Sequence, residues 1–474
     1  MKIQFSADTV SFGTLARLCG GELRQGELGS VCARFLCTDS REANDQTVFV
    51  ALRGERVDGH NFITGAIERG CRCVICEHDG EELVRAGVTA IVVGDTELAL
   101  AKLANGYQAQ YLHSKNVAVT GSVGKTTTKD LVAAVLSVGR KTYKTEGNHN
   151  SLVGMPLSML ETPEDSAYSV LEMGMSSFGE IERLSIAATP QIAIITNIGT
   201  SHMEMLGSRE NICRAKLEVL CGLRDNGILL LNGDEPLLRG IKGKSYRTQY
   251  VSLQCEKADY FAKNIKVEPD GTRFDAVCQG EEIQDLRIHL VGRHNVYAAL
   301  YAIAVARIAG LEAEQIRQGL YSYLPEGMRQ HFYTLGDITV IEDCYNAAPE
   351  SVSAAIDVLE EYGRDTGKRT VAVLGDMLEL GEDSPALHRT VGAHLAQRGI
   401  AQLFTLGKEA VQIAVGARQK GMPKEQIHMT EDVTDIQGVG ESLLASLRKG
   451  DVVLFKASRA VGAEQIIAYL RERM

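Results

Sequence analysis

The stretch Asn116-Val-Ala-Val-Thr-Gly-Ser-Val-Gly-Lys-Thr-Thr-Thr-Lys-Asp130 carries three local signals in a fixed order. Val117, Ala118 and Val119 form a short apolar run of the kind a buried parallel strand shows. Gly121 to Gly124 breaks that run, and from Lys125 the pattern becomes helical, with Leu131, Val132, Val135 and Leu136 on the apolar side. A strand, a glycine loop and a helix start make an anion site. The first N–H groups of the helix have no intrahelical acceptor, and the helix dipole favours negative charge there. Lys125 adds a full positive charge for terminal phosphates, and Thr126 offers a hydroxyl to a magnesium ion. The general phosphate-loop pattern would put its first glycine where Val119 stands, so the spacing here is tighter. A bare G-x-x-G-K-T also occurs by chance in unrelated loops. The flanking strand and helix are what make a nucleoside-triphosphate site the expectation.

Outward from this stretch, the 474 residues have room for roughly three domains at ~100–200 residues each. The formal charge of −11 opposes a nucleic-acid partner, because no basic stripe exists to displace counterions. Positive charge for an anionic ligand must then be placed locally. The N-terminus shows no basic start followed by an apolar core, and the longest apolar run, Val296 to Ala306, falls short of the ~20 residues of a membrane span. A cytoplasmic protein with no membrane partner is expected. Eleven cysteines without an export signal read as reduced, mostly buried thiols. Cys71, Cys73 and Cys76 tempt a metal reading, but His78 stands alone and no second cysteine pair follows, so a core strand is expected.

Short strands and helices alternate up to about residue 110. The polar turn Thr38-Asp-Ser-Arg-Glu42 precedes the strand Thr47 to Leu52, and the loop Arg53-Gly-Glu-Arg-Val-Asp-Gly-His60 opens a helix from Asn61 to Arg69. That loop reads equally well as a site for a phosphorylated or sugar ligand and as a solvated turn. In the next two hundred residues, strands at Tyr168 to Glu172, Ile192 to Ile195 and Gly227 to Leu231 suggest a mostly parallel sheet with right-handed crossovers. Groups at strand carboxyl ends are then candidates: Glu172, His202, Asn148 and Asn150. Each alone is as often a cap or loop residue; together they favour a magnesium–nucleotide site. Lys216, on a helix from Asn211 to Leu220, reads by itself as an exposed lysine. Leu324-Pro-Glu-Gly327 is the expected hinge into a second doubly wound unit, with strands at Ile338 to Ile341, Val371 to Leu374, Gln402 to Thr405 and Val452 to Phe455. Gly375 to Gly381 and Lys456 to Arg459 fall just past strand ends, where such sheets bind ligands.

Taken together these motifs resemble the Mur ligase family, across essentially the whole chain. The resemblance is carried by Asp39-Ser-Arg41, Phe49 to His60, Thr120 to Lys129, Gly147-Asn148, Glu172-Met-Gly174, Asn197 to His202, Gly292-Arg-His-Asn295, Asp343-x-Tyr-Asn-Ala347, Leu374 to Glu382 and Lys456/Ser458/Arg459. The Leu-Gly-Asp-Met and Asp-x-Tyr-Asn runs point, within that family, to ligases that add D-alanyl-D-alanine to a UDP-linked muramoyl tripeptide.

The resemblance implies an α/β enzyme of three domains: an N-terminal UDP-substrate domain (1–113), a central P-loop ATPase-like parallel-sheet domain (114–326) and a C-terminal Rossmann-like domain (327–474). It implies ATP and Mg²⁺, and UDP-MurNAc-tripeptide and D-alanyl-D-alanine as substrates of a monomer. ATP contacts fall to Gly121, Ser122, Val123, Gly124, Lys125, Thr126, Thr127, Asn295, Arg329 and Asp343. Substrate contacts fall to Ser40, Arg41, Asp58, His60, Asn148, Asn346, Lys456 and Arg459. One magnesium falls to Thr126 and Glu172 and a second to His202, helped by Lys216 as a carbamate; Lys125, Lys216 and His202 are the catalytic set. Two departures from the family pattern are Ala298, where a second asparagine is frequent, and Ala457, where glycine is usual. The implied chemistry is amide synthesis through an acyl phosphate. Competing expectations are an amino-acid ligase of the folylpolyglutamate type, a phosphotransferase or GTPase, and a non-catalytic scaffold. The missing Asn-Lys-x-Asp guanine signature counts against the GTPase.

Overall fold

Three large sheets flanked by helices organise residues 1–25, 32–54, 57–325 and 327–474, which the structure, a computed structural model, describes. Glu55 and Arg56 of the 53–60 loop, and Glu326 of the expected hinge, lie outside these residues.

The first sheet runs Lys2–Gln4, Phe35–Cys37, Thr47–Val50, Cys73–Cys76, Thr89–Val92, Glu22–Arg24, with its four inner strands parallel. Cys73 and Cys76 are buried free thiols on one of those strands. The expected helix after His60 begins as a 3₁₀ turn, Gly59–Phe62, capped by the Asp58 side chain, before the short helix Ile63–Glu68.

In the central sheet Lys115–Thr120 lies between Tyr168–Glu172 and Ile192–Ile195, parallel to both. Chain order therefore reverses beside it, which opens a crevice at its carboxyl end. The mostly parallel reading holds for seven of the nine strands. The last two, Gly271–Cys278 and Glu281–Ile288, pair antiparallel, an unforeseen addition. Their apolar residues alternate with exposed charge, so no continuous apolar run advertises them. The helices Lys125–Ser137 and Asn295–Ile308 cover one face. Asn295–Ile308 is apolar nearly all round because it is buried between sheet and neighbouring helices.

The opposite face of this sheet shares a continuous apolar cluster with the first sheet, through the helix Thr96–Tyr111. Tyr107 Oη accepts the Ala7 N–H at 2.8 Å across that junction. The buried amides of Gln108 and Asn116 exchange hydrogen bonds of 2.7 and 2.8 Å. The first two units are thus welded by a common core. The third sheet runs His331–Leu335, Ile338–Glu342, Val452–Lys456, Thr370–Gly375, Gln402–Leu406, Ile427–Thr430, parallel apart from its first strand, and has cores of its own. Among the described residues no helix is long and apolar enough to cross a membrane.

Gln108→Leu removes both amide bonds and leaves Asn116 Oδ1 buried without them. Chemical denaturation should show a loss of about 1–3 kcal/mol, with the first two units still unfolding in one transition.

Candidate active site

Gly121 follows the central strand with φ +145°, and a Cβ there would lie 1.8 Å from Thr196 Oγ1 on the neighbouring strand. Only glycine lets the loop pass so close. The same Thr196 hydroxyl donates to the Val123 carbonyl at 2.7 Å. Asn197 Oδ1 accepts the N–H groups of Ser122 and Val123 at 3.1 and 2.9 Å. The loop is held by the next strand, and the N–H groups of Lys125, Thr126 and Thr127, which open the helix, are left for an anion. Lys125 Nζ donates to the carbonyls of Gly121 and Ser122 at 2.9 and 3.3 Å. These acceptors are neutral, and desolvation in the cleft lowers its pKa against the opposing pull of Glu172 and Glu379.

A cavity of about 560 Å³ spreads from this loop towards the third unit. Its floor holds Glu172, 2 % exposed, whose carboxylate accepts from Thr126 Oγ1 at 2.9 Å and from Asn150 Nδ2 at 2.8 Å. Lys129 Nζ lies 3.8 Å from the same carboxylate and donates to the Thr145 carbonyl at 2.8 Å. A buried carboxylate beside a hydroxyl, next to a phosphate site, is the hard oxygen set that Mg²⁺ takes, so the residues fit that ion. His202 lines the cavity on the other side, in left-handed backbone at φ +66°, and its Nδ1 lies 2.7 Å from Glu379 Oε2 of the third unit.

Lys216 departs from its residue-level reading. It is 1 % exposed, not a solvated helix lysine, and no described carboxylate pairs with it. Burial and the nearby Lys125 ammonium push its pKa well down. It does not itself line the cavity.

On the far wall Asn295 donates to Gln330 at 2.8 Å, and the Arg329 guanidinium stacks 3.8 Å above the Tyr345 ring. Asp343 Oδ2 accepts from Lys456 Nζ at 2.6 Å, and that ammonium also reaches the Asn346 carbonyl at 3.1 Å. Ala298 opens onto the same wall. The structure thus gathers Ser122, Val123, Gly124, Lys125, Thr126, Thr127, Glu172, His202, Asn295, Arg329, Asp343, Asn346 and Lys456 around one space. Gly121 acts from beneath the loop. Asn148 is not among the lining residues, whereas Asn150, two positions on, is. Arg459 pairs instead with Glu464 at 3.1 Å. Sequence reading missed the structural use of Thr196 and Asn197, and missed Glu350, whose Oε2 accepts from Thr200 Oγ1 at 3.1 Å.

Ser40, Arg41, Asp58 and His60 form a separate group at the carboxyl ends of the first sheet. Arg41 pairs with Asp39 at 2.7 Å, and His60 Nδ1 lies 2.6 Å from Asp58 Oδ1. His78 does not stand alone: it stacks on His60 with ring centroids 4.2 Å apart. Asp58, His60 and His78 bring ligand atoms within 4.8 Å of one another. However, His60 Nε2 accepts the Glu77 N–H at 2.9 Å while Nδ1 is held by Asp58, so His60 has no free lone pair for a metal.

Three family models match in turn: "Mur ligase family, catalytic domain" over residues 33–108, "Mur ligase middle domain" over 119–306, and "Mur ligase, glutamate ligase domain" over 328–459. The chain is 39 % identical to a UDP-N-acetylmuramoyl-tripeptide--D-alanyl-D-alanine ligase of Bacillus subtilis, over 97 % of both chains. It also resembles the crystal structure of MurF from Acinetobacter baumannii, with a TM-score of 0.88 and 30 % identity, over 98 % of this chain and 99 % of that one. MurF of Thermotoga maritima, solved in complex with ADP, gives a TM-score of 0.81 and 28 % identity, over 92 % of this chain and 97 % of that one. With relatives of this similarity along its whole length, the chain belongs to the Mur ligase family.

Proposed function

We infer that the chain is an ATP-dependent ligase that joins D-alanyl-D-alanine to UDP-N-acetylmuramoyl-tripeptide, making the pentapeptide precursor of peptidoglycan. The observation that carries this reading is the convergence of the phosphate loop, the Glu172–Thr126 pair and the Asp343–Lys456 pair on one cavity, in a chain matched end to end by ligases of that name. The reading includes action in the cytoplasm, where ATP and nucleotide-linked precursors meet, and a monomer suffices because one chain supplies all three units. The division of labour follows the units: residues 1–113 take the UDP end, with Ser40, Arg41, Asp58 and His60; 114–326 take ATP; and 327–474 close over the nucleotide and seat the dipeptide near Asn346, Lys456 and Arg459.

The chemistry rests on the character of each group. A carboxylate is a poor electrophile, so the tripeptide's terminal carboxylate first attacks the γ-phosphorus, the bond to the β–γ bridging oxygen breaks, and ADP departs. The dipeptide amine then attacks the acyl carbon, the nitrogen gives up a proton, and phosphate leaves from the tetrahedral intermediate as the acyl–oxygen bond breaks. The ammonium of Lys125 and the N–H groups at the helix start meet the charge of the transferring group, which is positioning and electrostatics rather than covalent work. Thr126, Glu172 and His202 would hold magnesium, which supplies charge neutralisation at the phosphoryl oxygens when bound. Lys216, a buried amine whose pKa burial and the nearby Lys125 push well down, is suited to carbamylation, which would put a carboxylate-like anion in place of a buried amine with no described carboxylate partner. Closure of the third unit excludes water from the acyl phosphate. Asn295, Arg329 and Asp343 would meet the adenine, phosphate and ribose parts of the nucleotide, and Ala298 brings no side-chain amide where a second asparagine would.

Phosphate release by purified protein tests the whole reading. Release should match new amide product mole for mole and require both UDP-tripeptide and D-alanyl-D-alanine; release without the dipeptide, or with no amide formed, overturns it. Lys125→Ala should cost at least about 10²-fold in turnover while circular dichroism and the unfolding midpoint stay put. For Lys216→Ala, activity should fall and return in part on adding short carboxylates such as formate or acetate. An active Lys216→Ala enzyme would return that residue to core packing.

A further inference from the structure

The run Gly375-Asp-Met-Leu-Glu-Leu-Gly381 takes no part in the phosphoryl or acyl transfer. Its backbone is fixed from within the third unit. The Met377 N–H donates to Nε2 of the fully buried His388 at 3.0 Å, the Leu378 N–H donates to Ser458 Oγ at 3.0 Å, and Ser458 N–H returns to the Asp376 carbonyl at 3.1 Å. Beyond these anchors Glu379 takes left-handed backbone at φ +64°, unusual for a glutamate, and its carboxylate meets His202 at 2.7 Å. His202 is itself left-handed at φ +66°. The Glu204 N–H donates to the Glu379 carbonyl at 3.3 Å, and a Cβ on Gly381 would lie 3.1 Å from Glu204 Cα. Two conformationally unusual residues from different units thus face each other, each loop pressed against the other.

We propose that Glu379 is a positioning residue for His202. By accepting the Nδ1–H it selects the tautomer in which Nε2 carries the lone pair, so that the imidazole becomes a competent ligand only when the third unit has closed. This rests on the reading of His202 as a ligand in the Mg²⁺–nucleotide site. A ligating histidine ordinarily has its other ring nitrogen fixed by a carboxylate or carbonyl, and loss of that partner weakens metal affinity about 10–100-fold. Here that partner comes from another unit, so metal binding and closure become one event. The Leu-Gly-Asp-Met-Leu-Glu-Leu-Gly motif then has a physical purpose: a braced loop that carries one carboxylate across the cleft.

Mn²⁺ binding, read by electron paramagnetic resonance with a non-hydrolysable ATP analogue, tests this without turnover. Glu379→Ala should weaken Mn²⁺ by about tenfold, Glu379→Gln, whose amide oxygen can still accept the Nδ1–H, should recover most of the loss, and Glu379→Ala should add nothing in a His202→Ala background. Nitrogen-15 histidine spectra of the protein closed on the metal-free ATP analogue should show the His202 tautomer change in Glu379→Ala. Equal loss from Glu379→Ala in both backgrounds would mean a bare latch and overturn the proposal. A weakened His202→Ala beside an unaffected Glu379→Ala would overturn it while leaving the ligand reading intact. Unchanged binding in His202→Ala would remove both.

Discussion

The contact on which the site depends is the passage of Gly121 against Thr196. A methyl group at Gly121 would sit 1.8 Å from the Thr196 hydroxyl, so the chain turns there without a side chain, and the residues just past the neighbouring strand clamp it. Thr196 holds one loop carbonyl and Asn197 two loop N–H groups, which spends the loop's own donors on structure. The opening of the helix is left for a ligand. The loop is therefore preformed, and the order of strands dictates it, because Lys115–Thr120 and Ile192–Ile195 must be neighbours for the clamp to exist.

The three units are joined by two different kinds of physics. Between the first and second lies a shared apolar core with a buried amide pair, and opening it would expose apolar area at roughly 25 cal/mol per Å². Between the second and third lie Thr200–Glu350, His202–Glu379 and Asn295–Gln330, polar pairs that can exchange for water at little net cost. Apolar contact across this seam is found where Val291 and Gly292 meet Val358. A cleft built in this way can open about that point while the first unit and the loop at Gly121 to Gly124 move as one body.

Much of this was legible in the chain because the signals are local. The strand–glycine–helix order at 117–136, the buried runs of the parallel strands and the strand-end positions of Glu172 and His202 each follow from spacing alone. Lys216 was not legible as a buried residue. Its helix, Arg209–Leu217, is strongly polar in composition, and its burial is imposed by neighbours that only tertiary packing supplies. Asn150 against Asn148 is a matter of which way a short loop points, since Gly147 turns at φ +51° just before it. The antiparallel strands at 271–288 hid in alternation, and His78 looked isolated because its partner His60 is 18 positions away in sequence but stacked on it in space.

The balance of charge at the cleft explains how a chain of formal charge −11 accommodates a polyanion. Lys456 is already matched by Asp343, and Lys129 lies against Glu172 and Asp130, so neither offers a free charge. Lys125 is bonded to neutral carbonyls, and its charge is available to a phosphate at short range, where a low-dielectric cleft makes it count for more than distant surface carboxylates screened beyond about 10 Å. Lys216 stands against it as a second buried amine, and the two cannot both be charged cheaply. Turning Lys216 into an anion would relieve that repulsion and leave Glu172 and the carbamate facing Lys125. Such an excess of oxygen charge is what a divalent ion needs.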